Sequence, residues 1–209
     1  MHSRVMYDAE SQVSPIESGR RQAPRKQAMK RLGLAALCCY AIHAGFHIAN
    51  GRPAEVLWMC HLGAALVGIG LLLSSATTNG IGTLFLCMGT PLWLMYLAGG
   101  GEFYPTSAFP HLGGLAIGLL GVRQLGVPSG AWWKSVAALI ALILVCRLVT
   151  PASANVNVAF AIYPGWEKMF PSHPVYLAVM MVQSAGYFFV CEHVLRKWLV
   201  RKKNVPQVV

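Results

Sequence analysis

Histidine and cysteine side chains near the ends of apolar segments are the groups in this chain that could do chemistry. Five of its seven histidines fall where hydropathy and charge place one face of a membrane. These are His43, His47, His61, His111 and His173. The other polar residues on that side are Cys60, Glu102, Asn155, Asn157 and Glu167. Imidazole is costly in hydrocarbon without a partner, so ionisable groups at membrane depth indicate a functional site.

Metal binding is one chemistry that these residues allow. His43 and His47 are four positions apart, so on a helix they project from the same face. Joined by His61, His111 or Glu102, they could ligate zinc, copper or iron, with His173 as a further candidate. Two imidazoles from different segments could instead be the axial ligands of a haem. If the histidines only form hydrogen bonds at the membrane interface, no cofactor is implied.

Nucleophilic catalysis is the other chemistry. The thiol of Cys60 could be activated by an imidazole, for which His111 is the candidate. Such a pair could take an acyl chain from a membrane lipid and pass it to an alcohol or to water. Asn157, Asn155 or His61 could then stabilise the developing negative charge. The competing interpretation is that Cys60 is a small buried apolar residue, so the sequence leaves enzymatic activity open.

The composition is that of an integral membrane protein. Of 209 residues, 56% are hydrophobic and 11% are charged, whereas a soluble domain carries about a quarter charged residues. The net charge of +10 comes from basic residues at the ends of apolar segments. Such residues indicate membrane topology and contact with anionic lipids rather than nucleic acid. No CxxC spacing indicates a disulfide framework, and no Walker loop, GxSxG or kinase motif supports nucleotide or serine chemistry.

The elements that position these residues are six apolar segments without the period-two alternation of a barrel. Their ranges are 31–50, 54–75, 79–99, 108–126, 131–150 and 174–196. The expected fold is therefore an all-α integral membrane bundle of about six transmembrane helices. The distribution of basic residues predicts both termini in the cytoplasm and the histidines on the opposite side. The expected location is a bacterial plasma membrane.

Three regions divide the chain in this interpretation. Residues 1–30 are predicted to form a polar, basic and mostly disordered cytoplasmic tail, and residues 199–209 a second basic tail. Residues 31–198 form the six-span domain. Its longest connection, residues 151–173, is rich in aromatic, Pro and Asn residues and is expected to lie along the outer interface, as a lid or site wall.

Several short motifs resemble the YwaF-type family of polytopic membrane proteins. They are EVLWMCHLGAAL at 55–66, PLWLMYLAGGGEFYP at 91–105, AFPHLGGLAIGLLG from residue 108, and ANVN at 154–157. The resemblance covers residues 54–196. It implies a relationship to a eukaryotic phospholipid acyltransferase whose functional Cys and His would correspond to Cys60 and His111.

Partners follow from these hypotheses. Membrane lipids are the expected partners, and in the acyl-transfer hypothesis they would be the substrates. The small loops and the glycine-rich faces of the third and fourth segments also suit contacts with other membrane subunits. A non-catalytic subunit of a larger complex is therefore a third functional hypothesis.

Overall fold

All regular elements of the described chain are helical. The computed structural model describes residues 15–199, with side chains from residue 26 onward. Its α-helices are α1 (Pro15–Ala49), α2 (Met59–Leu72), α3 (Ala76–Ala98), α4 (Leu115–Leu125), α5 (Ala131–Val149) and α6 (His173–Trp198). A π-helix, Phe109–Gly114, leads directly into α4. Short 3-10 helices form in the connections at Pro53–Leu57, Pro105–Ser107, Ala152–Ala154, Val156–Val158 and Glu167–Met169. The prediction of an all-α fold is confirmed.

Four helices of the described chain are long and apolar enough to cross a membrane. They are Lys26–Ala49 within α1, Ala76–Ala98, Ala131–Val149 and His173–Trp198. Helix α2 is apolar but has only 14 residues, fewer than the roughly 20 that span a bilayer. The predicted segment 54–75 is therefore too long, because Pro53–Leu57 forms a separate 3-10 helix and the chain turns at Ser74, where φ is 54°. These helices indicate membrane association.

The first helix begins earlier than the sequence suggested. Helix α1 starts at Pro15, so the prediction of a disordered tail is wrong for residues 15–30. Proline suits the first turn of a helix, and the following Gln, Ala, Arg, Lys and Met residues are good helix formers. Residues 1–14 and 200–209, which complete the two predicted tails, lie outside the described residues.

Helix α2 packs closely between α1 and α3 through glycine. A Cβ added at Gly33 would lie 2.9 Å from the carbonyl oxygen of Gly68, across the α1–α2 contact. On the other side, a Cβ at Gly63 would lie 3.0 Å from the oxygen of Gly82 in α3. Membrane helices use small residues in this way because close backbone approach maximises van der Waals contact. The close packing fixes the start of α2 beside the end of α1.

Helices α3, α5 and α6 pack around an apolar cluster that includes Phe85, Leu142 and Phe188. Pro91 lies inside α3 and cannot donate to the carbonyl four residues earlier. That carbonyl, of Cys87, accepts a hydrogen bond of 2.9 Å from the hydroxyl of Tyr187 in α6. A contact between helices thus replaces the missing bond within α3.

Glu192 joins α6 to α5. Its side chain is buried although it carries a charge. Its two carboxylate oxygens accept hydrogen bonds from the backbone N–H groups of Gly130 (3.1 Å) and Trp132 (2.8 Å), at the start of α5. A carboxylate there satisfies otherwise unpaired donors and complements the helix dipole. Arg196, 3.3 Å away, pairs with the same carboxylate.

Replacing Gly70 by Ala tests the packing of α2 against α3. The new Cβ would lie 2.4 Å from the backbone nitrogen of Asn79 and 2.8 Å from its Cα, so the two helices must separate. We expect Gly70→Ala to lower the stability by about 1–3 kcal/mol, measured by thermal unfolding in detergent. Gly45→Ala is the matched control, since no neighbouring group of the described residues lies within 4 Å of its Cβ position. Equal stability of the two variants would contradict this packing.

Candidate metal centre

Four histidines from three parts of the chain form a buried cluster, here called the histidine cluster. Its members are His43 and His47 of α1, His61 of α2 and His111 of the π-helix. Their exposed fractions are 1%, 2%, 6% and 2%, respectively. Burial of this extent costs free energy unless each ring nitrogen finds a partner. The partners of the eight ring nitrogens therefore determine what the cluster can do.

The Nε2 atoms of three of these rings converge. Nε2 of His43 lies 3.1 Å from Nε2 of His47 and 3.1 Å from Nε2 of His61. Ligating atoms of the three residues all lie within 4.8 Å of one another. The spacing of four residues places His43 and His47 on one face of α1. The close α1–α2 packing brings His61 against that face.

The loop between α1 and α2, residues 50–58, supplies the Nδ1 partners of two rings. Nδ1 of His61 lies 3.0 Å from the backbone oxygen of Glu55. Nδ1 of His47 lies 3.1 Å from the carboxylate oxygen Oε2 of Glu55, although not in hydrogen-bond alignment. Glu55 therefore contacts two histidines, one through its main chain and one through its side chain.

The loop between α3 and the π-helix, residues 99–108, supplies the other two partners. Nδ1 of His43 lies 2.9 Å from the hydroxyl of Thr106. Nδ1 of His111 donates to the backbone oxygen of Ser107 at 2.8 Å. Outer partners of this kind fix the ring orientation and tautomer of metal-binding histidines.

Arg52 and Tyr104 join the two loops. The guanidinium of Arg52 donates a hydrogen bond of 2.6 Å to the hydroxyl of Tyr104 and lies 4.7 Å from the centre of its ring. The Tyr104 hydroxyl in turn donates to the carboxylate of Glu102. This bond raises the pKa of the Tyr104 phenol. Glu102, a candidate ligand from the sequence, thus contacts Tyr104.

The outer partners determine which nitrogens carry protons. A carbonyl oxygen only accepts hydrogen bonds, so Nδ1 of His61 and of His111 must carry the proton, which leaves a lone pair on Nε2. The carboxylate of Glu55 favours the same tautomer in His47. Nε2 of His43 can donate one N–H, yet both neighbouring Nε2 atoms have lone pairs. The centre of the cluster therefore lacks positive charge, which a proton or a metal ion could supply.

Cys60 lies at the edge of this cluster. Its Sγ and ligating nitrogens of His61 and His111 all lie within 4.8 Å of one another. Room for the Cys60 side chain comes from Gly89, where an added Cβ would lie 2.5 Å from the Cβ of Cys60. Nε2 of His111 is buried and makes no hydrogen bond to any described residue. Sequence reasoning paired Cys60 with His111, and the structure brings the two together.

The backbone around His111 is unusual. His111 lies in the π-helix Phe109–Gly114, an element that is rare and often found at functional sites. The hydroxyl of Thr90 donates to the backbone oxygen of His111 at 3.0 Å. The indole of Trp93 stacks on the imidazole, with ring centres 4.7 Å apart and planes 10° apart. Helix α3 thus orients His111 through two contacts.

Two predicted site residues have other surroundings. Oδ1 of Asn157 accepts the backbone N–H of Met59 (2.8 Å), and Nδ2 donates to the backbone oxygen of Leu57 (2.8 Å). Asn157 therefore holds the start of α2, instead of presenting its amide to a substrate as the sequence suggested. Nε2 of His173 donates to the oxygen of Val158 at 2.9 Å, and its Nδ1 lies 3.5 Å from Arg147. His173, a predicted ligand, belongs to neither ligating group in the described chain.

Sequence reasoning missed the residues that orient the rings. Glu55, Thr106, Ser107 and Trp93 contact the cluster. The position of Glu55 was a usable signal, because a carboxylate in the short loop joining His47 to His61 has little freedom to lie elsewhere. Thr106 and Ser107 carry no comparable signal, since their role depends on how residues 99–108 fold back over α1.

Comparison with protein-family models, with curated proteins and with solved structures finds no match for this chain.

Two asparagines allow the role of Asn157 to be tested. Asn155 and Asn157 both have positive φ, 40° and 53°. The side chain of Asn155 forms hydrogen bonds with the N–H groups of Phe160 and Ala161 and with the oxygen of Ala161. These bonds lie nearer the surface than those of Asn157. Because Asn157→Ala leaves the buried N–H of Met59 and the partly buried oxygen of Leu57 without their partner, we expect it to cost about 1–3 kcal/mol more than Asn155→Ala. Thermal unfolding in detergent measures the difference. A larger loss in Asn155→Ala would refute the role.

Proposed function

We propose that this protein binds a transition-metal ion inside the membrane, through the imidazoles of His43, His47 and His61. The observation that supports the proposal is the convergence of three Nε2 atoms, with two contacts of 3.1 Å. Metal–nitrogen bonds of about 2.0–2.1 Å place neighbouring ligand nitrogens about 3.0–3.4 Å apart. The observed separations fall in that range.

The outer partners also support a metal. Carboxylate, hydroxyl and carbonyl oxygens contact the four Nδ1 atoms of the histidine cluster. With Nδ1 so engaged, each Nε2 is free to present a lone pair to an ion. Imidazole donors suit zinc, copper, iron or nickel, and the nearby thiol of Cys60 favours the softer ions among these. A bound ion of this kind would supply Lewis acidity or electron transfer at that point.

A single ion fits the cluster better than haem. The two axial imidazoles of a haem lie on opposite faces of the macrocycle. The Nε2 atoms of His43 and His61 are 3.1 Å apart, which leaves no room for a porphyrin between them. The sequence left zinc, copper, iron and haem open, and this distance favours a small ion.

Metal content tests the proposal directly. We expect the purified full chain to retain one Co²⁺ or Zn²⁺ per molecule after loading and gel filtration, measured by elemental analysis and, for Co²⁺, by visible absorption. His43→Ala and His61→Ala should lose the ion, and Glu55→Gln should bind about 10–100-fold more weakly, because an outer partner of His47 is lost. His173→Ala is the control and should keep full occupancy. Substoichiometric binding by the wild type, or full occupancy in His43→Ala, would refute the proposal.

Acyl transfer through Cys60 is a second candidate, favoured by a separate observation. Nε2 of His111 is buried, has a lone pair and no hydrogen-bond partner in the described chain, and ligating atoms of His111 and Cys60 lie within 4.8 Å. His111 could take the thiol proton as the sulfur attacks a lipid ester carbonyl, then return that proton to the leaving alkoxide. Water or an alcohol would release the acyl group. The resemblance to the YwaF-type family points to the same pair.

A trapped intermediate distinguishes this second candidate. If Cys60 is a nucleophile, incubation with a phospholipid should add one acyl chain to the protein as a thioester at Cys60, which mass spectrometry detects. Cys60→Ser and His111→Ala should abolish both the adduct and lipid turnover while remaining folded. Cys87→Ser is the matched control and should behave as wild type. Turnover retained in Cys60→Ser would exclude the mechanism, whatever the metal content.

We further propose six membrane crossings with both termini in the cytoplasm of a bacterial plasma membrane. Besides the four long helices, the other two proposed crossings are the apolar α2, which is short for a full span, and the π-helix with α4, which runs continuously from Phe109 to Leu125. Basic residues at Arg123 and Lys134 support a cytoplasmic α4–α5 connection, which places the histidine cluster toward the other side. Membrane lipids would contact the remaining apolar surface. If the protein is a non-catalytic subunit of a larger complex, other subunits would also contact that surface.

A further inference from the structure

An open pocket lies beside the histidine cluster, at the loop between α1 and α2. Its volume is about 610 Å³, and its wall is formed by residues 51–57 and by the segment Val149–Ala154 at the end of α5. One lining residue, Glu55, also contacts His47. The pocket is thus connected to His47 through the side chain of one of its lining residues.

Glu55 is arranged to attract a cation. Its side chain is 29% exposed, whereas that of His47 is 3% exposed. Oε2 lies 3.1 Å from Nδ1 of His47, and Oε1 lies 3.9 Å from Nε of Arg52. The guanidinium of Arg52, which lines the same pocket, also donates to Tyr104, so its charge is shared between the carboxylate and the phenol. A partly desolvated carboxylate on a residue that lines a pocket attracts cations.

Three aromatic side chains lie against other parts of the cluster. Tyr104, held by Arg52, lies beside His47, with ring centres 6.1 Å apart. Trp93 stacks on His111, and Phe46 lies 5.8 Å from His47. Apolar and aromatic groups offer no ligand to a hydrated cation, whereas Glu55 does.

We propose that the metal ion reaches the histidine cluster through this pocket, with the carboxylate of Glu55 as the first protein ligand that it meets. The inference rests on the metal-binding function proposed above. It assigns the pocket to a divalent cation, and it makes Glu55 a transient ligand as well as the outer partner of His47. The ion passes from water to the carboxylate and then to the Nε2 atoms, with no change of oxidation state and no covalent step.

Obstructing the pocket provides the test. Ser153 is exposed and lines the pocket, so Ser153→Trp should narrow the route without touching a ligand. Co²⁺ uptake by the full chain in nanodiscs, and its release to a chelator, are followed by stopped-flow visible absorption. An obstructed route slows uptake and release by the same factor, so the dissociation constant and final spectrum stay unchanged. Met169→Trp, exposed on the same α5–α6 connection, is the control and should match the wild type.

Glu55→Gln gives an independent readout of the same route. Loss of the carboxylate should slow uptake about ten-fold at low ionic strength and remove most of its salt dependence. Glu167→Gln, which removes an exposed carboxylate on the α5–α6 connection, should leave both unchanged. Wild-type uptake rates in either Ser153→Trp or Glu55→Gln would overturn the route. Failure of the wild type to bind Co²⁺ stoichiometrically would instead refute the metal-binding function.

Discussion

Four imidazoles buried among apolar helices constrain the rest of this structure, because each ring nitrogen must find a partner there or remain costly. The protein meets the constraint with two short loops. Residues 50–58 serve His47 and His61 through Glu55, and residues 99–108 serve His43 and His111. Arg52 and Tyr104 then join the loops. The helices bring the rings together, and the loops determine their tautomers.

The close packing of α2 has a direct consequence for the site. Helix α2 carries Cys60 and His61 in its first turn, and Met59 at its first position is bonded to Asn157, almost a hundred residues later in the chain. The glycine contacts with α1 and α3 set the depth of α2, while Asn157 fixes its end. Because the 3-10 helix Pro53–Leu57 precedes it without a long linker, the same positioning fixes Glu55. The ligand His61, its outer partner Glu55 and the pocket-lining residues 51–57 thus belong to one continuous stretch of chain.

Much of the candidate site followed from the sequence, for identifiable reasons. The shared face of His43 and His47 is a property of helix periodicity, and the common depth of His61 and His111 follows from hydropathy and from where each segment turns. His173 shows the limit of that reasoning. Depth alone cannot say toward which neighbour a residue points, and Arg147 and Val158 hold this ring. Similarly, amide chemistry suggested a catalytic role for Asn157. Its actual backbone partners could not be foreseen, because they become its neighbours only in the folded chain.

For the fold, the helical content was predictable from the sequence. The early start of α1 and the shortness of α2 were not, because they depend on local helix propensity and on the 3-10 helix Pro53–Leu57.

The two proposed chemistries make different demands on one residue, His61. As a metal ligand, His61 must direct its Nε2 lone pair toward His43. The distance of 3.1 Å between the two Nε2 atoms agrees with that orientation. Nδ1 donates to the oxygen of Glu55, so His61 has no second N–H for a developing oxyanion. A thiol mechanism would therefore rely on His111 alone, whose Nε2 lone pair has no partner in the described chain. If an ion occupied the three converging nitrogens, its positive charge would lie close to Cys60 and would favour the thiolate. The metal and the thiol are then compatible within one site, with His61 belonging to the ion and His111 to the cysteine.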